Sequence, residues 1–223
     1  MSSILDHAGM SITGVEIPPT PLPAQADELT WDIARLFPRQ GSWTVEQYLQ
    51  LTETVNWPME FTDGVIEFLP MPTIAHQLLV RFLMDALRAF VEPRDLGVVL
   101  FGPLPTWLNE TKYREPDVLF NTTARHEASD KYYHGADLVM EVVSPDDRSH
   151  TRDHEDKVVA YAAAGIQEYW IVDPQEQRVR VLTLQGAAYV ELANVVAQSE
   201  APSKLLDGFT LDVAAAFAAA KRK

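Results

Sequence analysis

One six-residue run constrains this chain more than any other: Leu138-Val-Met-Glu-Val-Val143. Five of its residues are apolar and most are β-branched or long, so it predicts a strand covered on both faces. A strand of that kind needs a layer on each side, which predicts a mixed α/β domain around a central sheet. The run also carries a contradiction, because Glu141 puts a carboxylate where water is excluded. A buried carboxylate costs several kcal/mol unless it meets a cation, a proton or strong donors.

The segments around that run predict both kinds of layer. Thr44-Val-Glu-Gln47 reads as a capping box opening a short helix over 44–52. Met59 to Phe68 reads as two strands joined at Asp63-Gly64, a turn pair that favours tight hairpins. Leu78, Leu79, Phe82, Leu83, Ala86, Leu87 and Phe90 recur at helical spacing, predicting a helix over 75–91 that Pro93 stops. Short strands are expected at 98–101 and 116–120, and a helix at 151–164 before Gly165. A meander should follow at 168–172, 178–182 and 187–191, with turns at Asp173-Pro174 and Gln185-Gly186. Val213 to Ala219 closes the order as a final helix. Asn121 to Ala136 is long for a strand connection, and reads as a functional loop or one hiding a short helix. Residues 1–40 hold five of the 15 prolines and little periodicity, so they read as a poorly ordered N-terminal arm. The folded domain is then 41–223.

Composition narrows the chemistry. There is no cysteine, which excludes disulfides, thiol catalysis and thiolate metal sites. Thirty-two acidic against 18 basic residues give a net charge of −14, which argues against general attraction to phosphate backbones or anionic membranes. No basic stretch followed by a long apolar one opens the chain, so no membrane association and a cytoplasmic location are expected.

Asp117, inside Pro116-Asp-Val-Leu-Phe120, repeats the anomaly of Glu141. Two acids on central strands can converge on one hard cation, with a backbone carbonyl and waters completing its shell, and Mg²⁺ suits such a site. Alternatively each acid salt-bridges a neighbouring arginine such as Arg114 or Arg148. Lys157 lies on the helix after the Glu141 strand and could reach back towards that acid, or form an ordinary helical ion pair with Asp153 four residues earlier. His150 and His154 are four apart, as a zinc pair would be, but their polar surroundings read as an exposed helix start. His76 opens the long helix, where a polar residue caps or is hydrated. Glycine-rich phosphate loops, nucleophile-elbow serines and His-Glu-x-x-His are absent.

Taken together, Arg114-Glu-Pro-Asp-Val118, Met140-Glu-Val-Val-Ser-Pro145, Asp156-Lys157, Tyr161, Gly165 and Glu168-Tyr-Trp-Ile-Val-Asp173 resemble the Uma-type family. This bacterial group is classed with restriction endonucleases in the PD-(D/E)XK nuclease superfamily. The likeness extends upstream through Trp43 to Leu49, Glu60, Asp63-Gly64 and His76, and downstream through Leu205 to Leu211. It implies a single restriction-endonuclease-like domain, a mixed central sheet flanked by helices. It implies Mg²⁺- or Mn²⁺-dependent hydrolysis of a phosphodiester, most naturally in DNA, with a homodimer as one way to cut both strands. Asp117 and Glu141 would be its metal-binding acids, and Lys157 would supply the lysine that the superfamily usually places where this chain has Val143. Glu60, His76 and Arg114 match positions near the site and are carried as supporting residues. Two other functions stay open: a catalytically inactive nuclease-fold module acting through protein contacts, and a carboxylate glycosidase, which would work in chelator.

Overall fold

Thr44 starts the first helix as its sequence requires. Its hydroxyl accepts from the Gln47 backbone N–H at 3.3 Å, and Gln47 Oε1 accepts from the Thr44 N–H at 3.0 Å. The computed structural model describes residues 37–124, 129, 131–145 and 152–221. Residues 1–36 of the expected arm, and Arg148 and His150, lie outside the described residues. The described chain is already fastened at Gln40, whose amide makes two hydrogen bonds, 2.8 and 2.9 Å, with the backbone of Ile66.

Helix α1 is Val45–Thr54. Strands β1 (Met59–Thr62) and β2 (Val65–Phe68) form the expected hairpin. At its turn Asp63 and Gly64 have φ of +50° and +80°, the paired positive values of a primed turn. Gly64 has a second reason to be glycine, since a Cβ there would stand 2.8 Å from the Gly41 carbonyl. Helix α2 (Ile74–Val91) buries Leu79, Leu83, Leu87 and Val91 along one stripe. Pro93 does not stop the chain at once: it fits the first turn of a 3₁₀ extension, Glu92–Arg94, which ends at Asp95 in the left-handed region.

Strand β3 (Gly97–Phe101) is followed by an unexpected hairpin of β4 (Thr106–Asn109) and β5 (Lys112–Arg114). Runs of three or four residues give too little alternation to be read from sequence. Strand β6 is Val118–Thr122, two residues later than expected, because Pro116 has no N–H for a ladder. Asp117 therefore stands just ahead of the strand. Within the long 121–136 connection lies β7 (Tyr133–His134), which pairs in parallel with β4. The central run is β8 (Leu138–Val142), entirely buried.

The predicted helix over 151–164 is the main local correction. Arg152–Asp156 forms a wide π-type turn, and only Lys157–Ala163 is α-helix, α3. Strands β9 (Glu168–Asp173), β10 (Arg178–Gln185) and β11 (Ala188–Val196) make the meander, the latter two longer than expected. A small ribbon of β12 (Glu200–Pro202) and β13 (Thr210–Asp212) precedes α4 (Val213–Ala219), which has the bounds the sequence predicts.

The strands assemble as a six-stranded sheet, β11-β10-β9-β8-β6-β3, and a five-stranded sheet, β2-β1-β5-β4-β7. The described residues from Arg39 onward make one compact unit. In the larger sheet β8 and β9 are the parallel pair, with α3 in their crossover. Alternation along β8 sorts the core: Leu138, Met140 and Val142 pack with α2 and α4, whereas Val139 and Val143 pack with Ala160 and Tyr161 of α3. A third cluster, built on Tyr48, Met59, Phe61, Ile66 and Tyr113, joins α1 to the smaller sheet. Among the described residues no helix is long and apolar enough to cross a membrane.

Glu168 explains why the Glu-Tyr-Trp run is built as it is. Its Oε1 accepts from Trp170 Nε1 and Ser203 Oγ, both at 2.7 Å, and its Oε2 from the backbone N–H groups of Lys204 and Leu205 at 2.7 and 3.0 Å. Glu168→Ala orphans four donors around a buried position and should cost about 3 kcal/mol or more. Urea unfolding measures this, and a loss below about 1 kcal/mol would mean the 203–206 turn holds itself.

Candidate active site

Strand alternation decides which way the two anomalous acids point. Glu141 lies between Val139 and Val143 in the period of β8, so it faces the α3 layer. Val118 stands opposite Met140 in the β6–β8 ladder, so the residue before it, Asp117, falls across from Glu141. The strand end fixes that carboxylate: Asp117 Oδ2 accepts the Val142 N–H at 2.8 Å and lies 3.2 Å from His76 Nε2, at the start of α2. His76 is thus more than a cap residue. Its backbone N–H takes the Thr73 side-chain cap while its ring turns to Asp117.

Lys157 meets both of the roles its spacing allowed. Its Nζ is 3.1 Å from Asp153 Oδ1, the helical pair, and 2.8 Å from Glu141 Oε1, the cross-sheet one. It also stands 3.6 Å from Glu60 Oε1, which the β1 strand brings from the smaller sheet. Glu60 is completely buried, and Arg114 reaches it at 3.2 Å while also donating to Thr62 Oγ1 at 2.9 Å. The arginine expected as a partner for Glu141 or Asp117 therefore serves Glu60. Tyr161, one turn beyond Lys157, donates to Glu141 Oε1 at 2.5 Å.

Four members of this cluster escaped the sequence reading as site residues. Asp153 was visible only as a helical partner, and the π-type turn is what tucks it inward beside Lys157. Arg152, in that same turn, lies 3.5 Å from Glu67 Oε1. Tyr161 carried a usable signal, since it lies four residues after Lys157 on the same helix face. Glu115 sits next to Asp117 in sequence, is 8% exposed, and accepts the Met59 N–H at 3.2 Å.

The electrostatics follow from burial. It pushes the Glu141 carboxyl up to about 8, with Asp117 and Asp153 adding to the rise and Lys157 opposing it. Burial and neighbouring Glu60 push Glu115 up to about 8 as well. Burial also works to raise Glu60, but Lys157, Arg114 and Arg152 outweigh it and leave that carboxyl below its usual range. Lys157 is held protonated: burial favours the neutral amine, and Asp153, Glu141 and Glu60 more than reverse that. His76 is raised despite burial, through its contact with Asp117 and the charge of Glu141.

Glu115 gives a prediction with a definite sign. A carboxyl whose folded pKa is raised binds more protons folded than unfolded, so stability falls as pH climbs from about 4.5 to about 8. Glu115→Gln keeps an acceptor for the Met59 N–H and removes that titration. The variant should therefore gain stability over the parent at pH 8, on the order of 1 kcal/mol per pKa unit, and not at pH 4. Parallel urea titrations at the two pH values check it, and an equal difference at both would refute the assignment.

Asp117, Glu141, Glu115, His76, Arg152, Asp153 and Lys157 all line one cleft of about 90 Å³, walled on one side by Pro58, Leu69, Pro70 and Pro72. Among the described residues, the remaining basic side chains do not line it. Arg88 pairs with Glu92 at 2.8 Å and Lys131 with Glu53 at 2.5 Å, both on exposed surface. His154 is only partly exposed: its ring contacts Arg180 at 3.2 Å and lies 4.0 Å from Asp173. Among the described residues no group of three or more His, Asp or Glu side chains is arranged to hold a metal ion. The pair Asp117–Glu141 nonetheless fits a small hard cation. Two acids in one cleft, the second raised partly by the first, would be relieved by positive charge, and Mg²⁺ accepts few protein ligands while keeping its waters.

Residues 45–214 match the Uma2 family, described as "Putative restriction endonuclease". The chain belongs to that family. A crystal structure from Anabaena variabilis ATCC 29413, described as "a putative nuclease belonging to DUF820", superposes with a TM-score of 0.63. It shares 19% identity with the Uma2 chain and covers 79% of it, and 98% of the Anabaena chain is matched, which establishes a common fold. No curated protein matches. In this Uma2 chain Val143, two residues after Glu141, is buried in one cluster with Ala160 and Tyr161. Lys157 Nζ reaches Glu141 from α3, on the same side of the sheet.

Proposed function

We propose that the chain is a metal-dependent nuclease that hydrolyses phosphodiester bonds of DNA in the cleft between α2 and α3. One observation carries this reading: Asp117 and Glu141 line one cleft at the ends of adjacent central strands, with Lys157 Nζ 2.8 Å from Glu141. Asp117 and Glu141 would hold Mg²⁺ or Mn²⁺. When bound, that ion polarises a phosphoryl oxygen and lowers the pKa of its water.

The chain's own residues do the rest. The Val142 N–H and His76 fix the rotamer of Asp117, so its carboxylate is oriented before any ligand arrives. Tyr161 and Lys157 do the same for Glu141. Lys157, held charged by three carboxylates, offsets negative charge developing on the phosphoryl group and can position the attacking water. Arg114 and Arg152 balance Glu60 behind it.

The test is cleavage of supercoiled plasmid at low salt with Mg²⁺ or Mn²⁺, with a chelator control. A second reading, an inactive nuclease-fold module, draws on the engagement of both acids by protein donors. Calorimetric titration with Mn²⁺ separates the two. Binding that depends on Asp117 supports the nuclease, and no binding together with no cutting leaves the module.

A further inference from the structure

The cleft continues into a second, apolar groove. Pro72, Gln77 and Val80 line both, and beyond them the groove of about 520 Å³ is walled by Ile74, Leu78, Met84 and Phe101. Arg81 is the single charged residue of its lining. Ile74 and Phe101 are 81% and 56% exposed, an unusual placement for large apolar side chains beside a cleft crowded with charge. Next in sequence to the cleft-lining residues Pro58 and Leu69, Trp57 and Phe68 are also half exposed. Their rings meet edge to face at 6.4 Å, and the indole N–H is held by the Leu69 carbonyl at 2.9 Å.

We propose that this groove binds an unpaired nucleotide of the DNA strand entering the cleft, so that single-stranded or locally opened DNA is the preferred substrate. The inference rests on the nuclease reading and specifies its substrate. A groove of this volume accommodates a nucleotide. Its apolar walls and the Phe101 ring match the face of a base, and Arg81 matches the adjoining phosphate. No carboxylate lines the groove to repel that phosphate.

Charge points the same way. A chain of net charge −14, with four carboxylates lining its cleft, gains little from neutralising the backbone of a duplex. Stacking on aromatic faces is the binding term that survives such a charge, and base faces are available only where the strand is unstacked. Exposed rings beside the cleft fit a splayed strand, whereas a rigid duplex presents phosphates to them.

Fluorescence anisotropy without divalent metal tests this independently of cleavage. The probes are one labelled 20-mer as single strand, the same 20-mer as a perfect duplex, and an abasic strand of equal length. The parent should bind the single strand at least tenfold tighter than the duplex. Phe101→Ala should weaken single-strand binding about tenfold and leave the abasic strand unchanged, since the lost contact is the stacking of a base on that ring. Arg81→Ala should weaken both strands and reduce the salt slope by about one. Equal affinity for duplex and single strand, no measurable binding, or an unaffected Phe101→Ala would overturn the proposal. So would sedimentation showing a dimer that Phe101→Ala dissolves, because the groove would then be covered by a second copy. Duplex cutting without single-strand preference removes the groove and leaves the nuclease. Single-strand binding without any metal-dependent cutting removes the nuclease instead.

Discussion

On the proposed nuclease reading, Asp117→Ala and Glu141→Ala should each lower metal-dependent plasmid cleavage by at least about a hundredfold, the scale of losing several kcal/mol of transition-state charge stabilisation. Neither change should unfold the chain. Removing Asp117 exposes one N–H at the end of β8 and releases His76, both at a water-accessible cleft. Removing Glu141 leaves Lys157 paired with Asp153 at 3.1 Å and with Glu60. Circular dichroism confirms the fold, and Mn²⁺ calorimetry should show lost binding in both variants. The pH dependence has a fixed sign: a proton on Glu141 competes with the cation, so parent metal affinity rises with pH up to and through about 8. Parental cutting rates in both variants would mean that the reaction happens elsewhere.

Lys157→Met carries the largest expected effect on stability, about 3–5 kcal/mol. The substitution fills the same space and leaves Glu60, Asp153 and Glu141 in a region that admits almost no water. Glu60 suffers most, because Lys157 heads the cations that hold its carboxyl ionised. Its depressed pKa makes its stabilising contribution full above the unfolded carboxylate pKa and lost as pH falls through the lower folded value. The deficit of Lys157→Met should therefore be largest at pH 8 and shrink towards pH 4. Urea midpoints across that range measure it. A small deficit that ignores pH would mean that Lys157 is not the counter-charge of this cluster.

The parts that were legible in the sequence are those encoded locally. The Thr44 capping box, the Asp63-Gly64 turn, the apolar stripe of α2 and the final helix each follow from a few neighbouring residues. Glu141 was legible by contradiction, as a carboxylate in a run that excludes water, whereas Asp117 stands ahead of its strand and is 21% exposed. What stayed hidden depends on distant partners. The β4–β5 hairpin is too short for periodicity, and β7 gains strand character only by pairing with β4. The π-type turn at Arg152–Asp156 leaves no mark in composition, yet it brings Asp153 beside Lys157. Arg114 was visible as a cation but not as the partner of Glu60, since that pair joins β1 to β5.

The buried ion cluster also acts as a proofreader of strand alignment. Glu60 comes from the first hairpin, Glu141 from the central strand and Lys157 from the crossover helix, so three separately formed pieces must agree for the charges to cancel. A one-residue slip of β1 would offer Met59 or Phe61 in place of Glu60, strand Arg114 and turn Glu60 into the aromatic cluster of Tyr48 and Tyr113. Apolar contacts tolerate such slips because one hydrocarbon replaces another at small cost, whereas an uncancelled charge does not. The same residues proposed to cut a phosphodiester thus reject misaligned versions of the fold, and a chain that has assembled wrongly cannot present a working cleft.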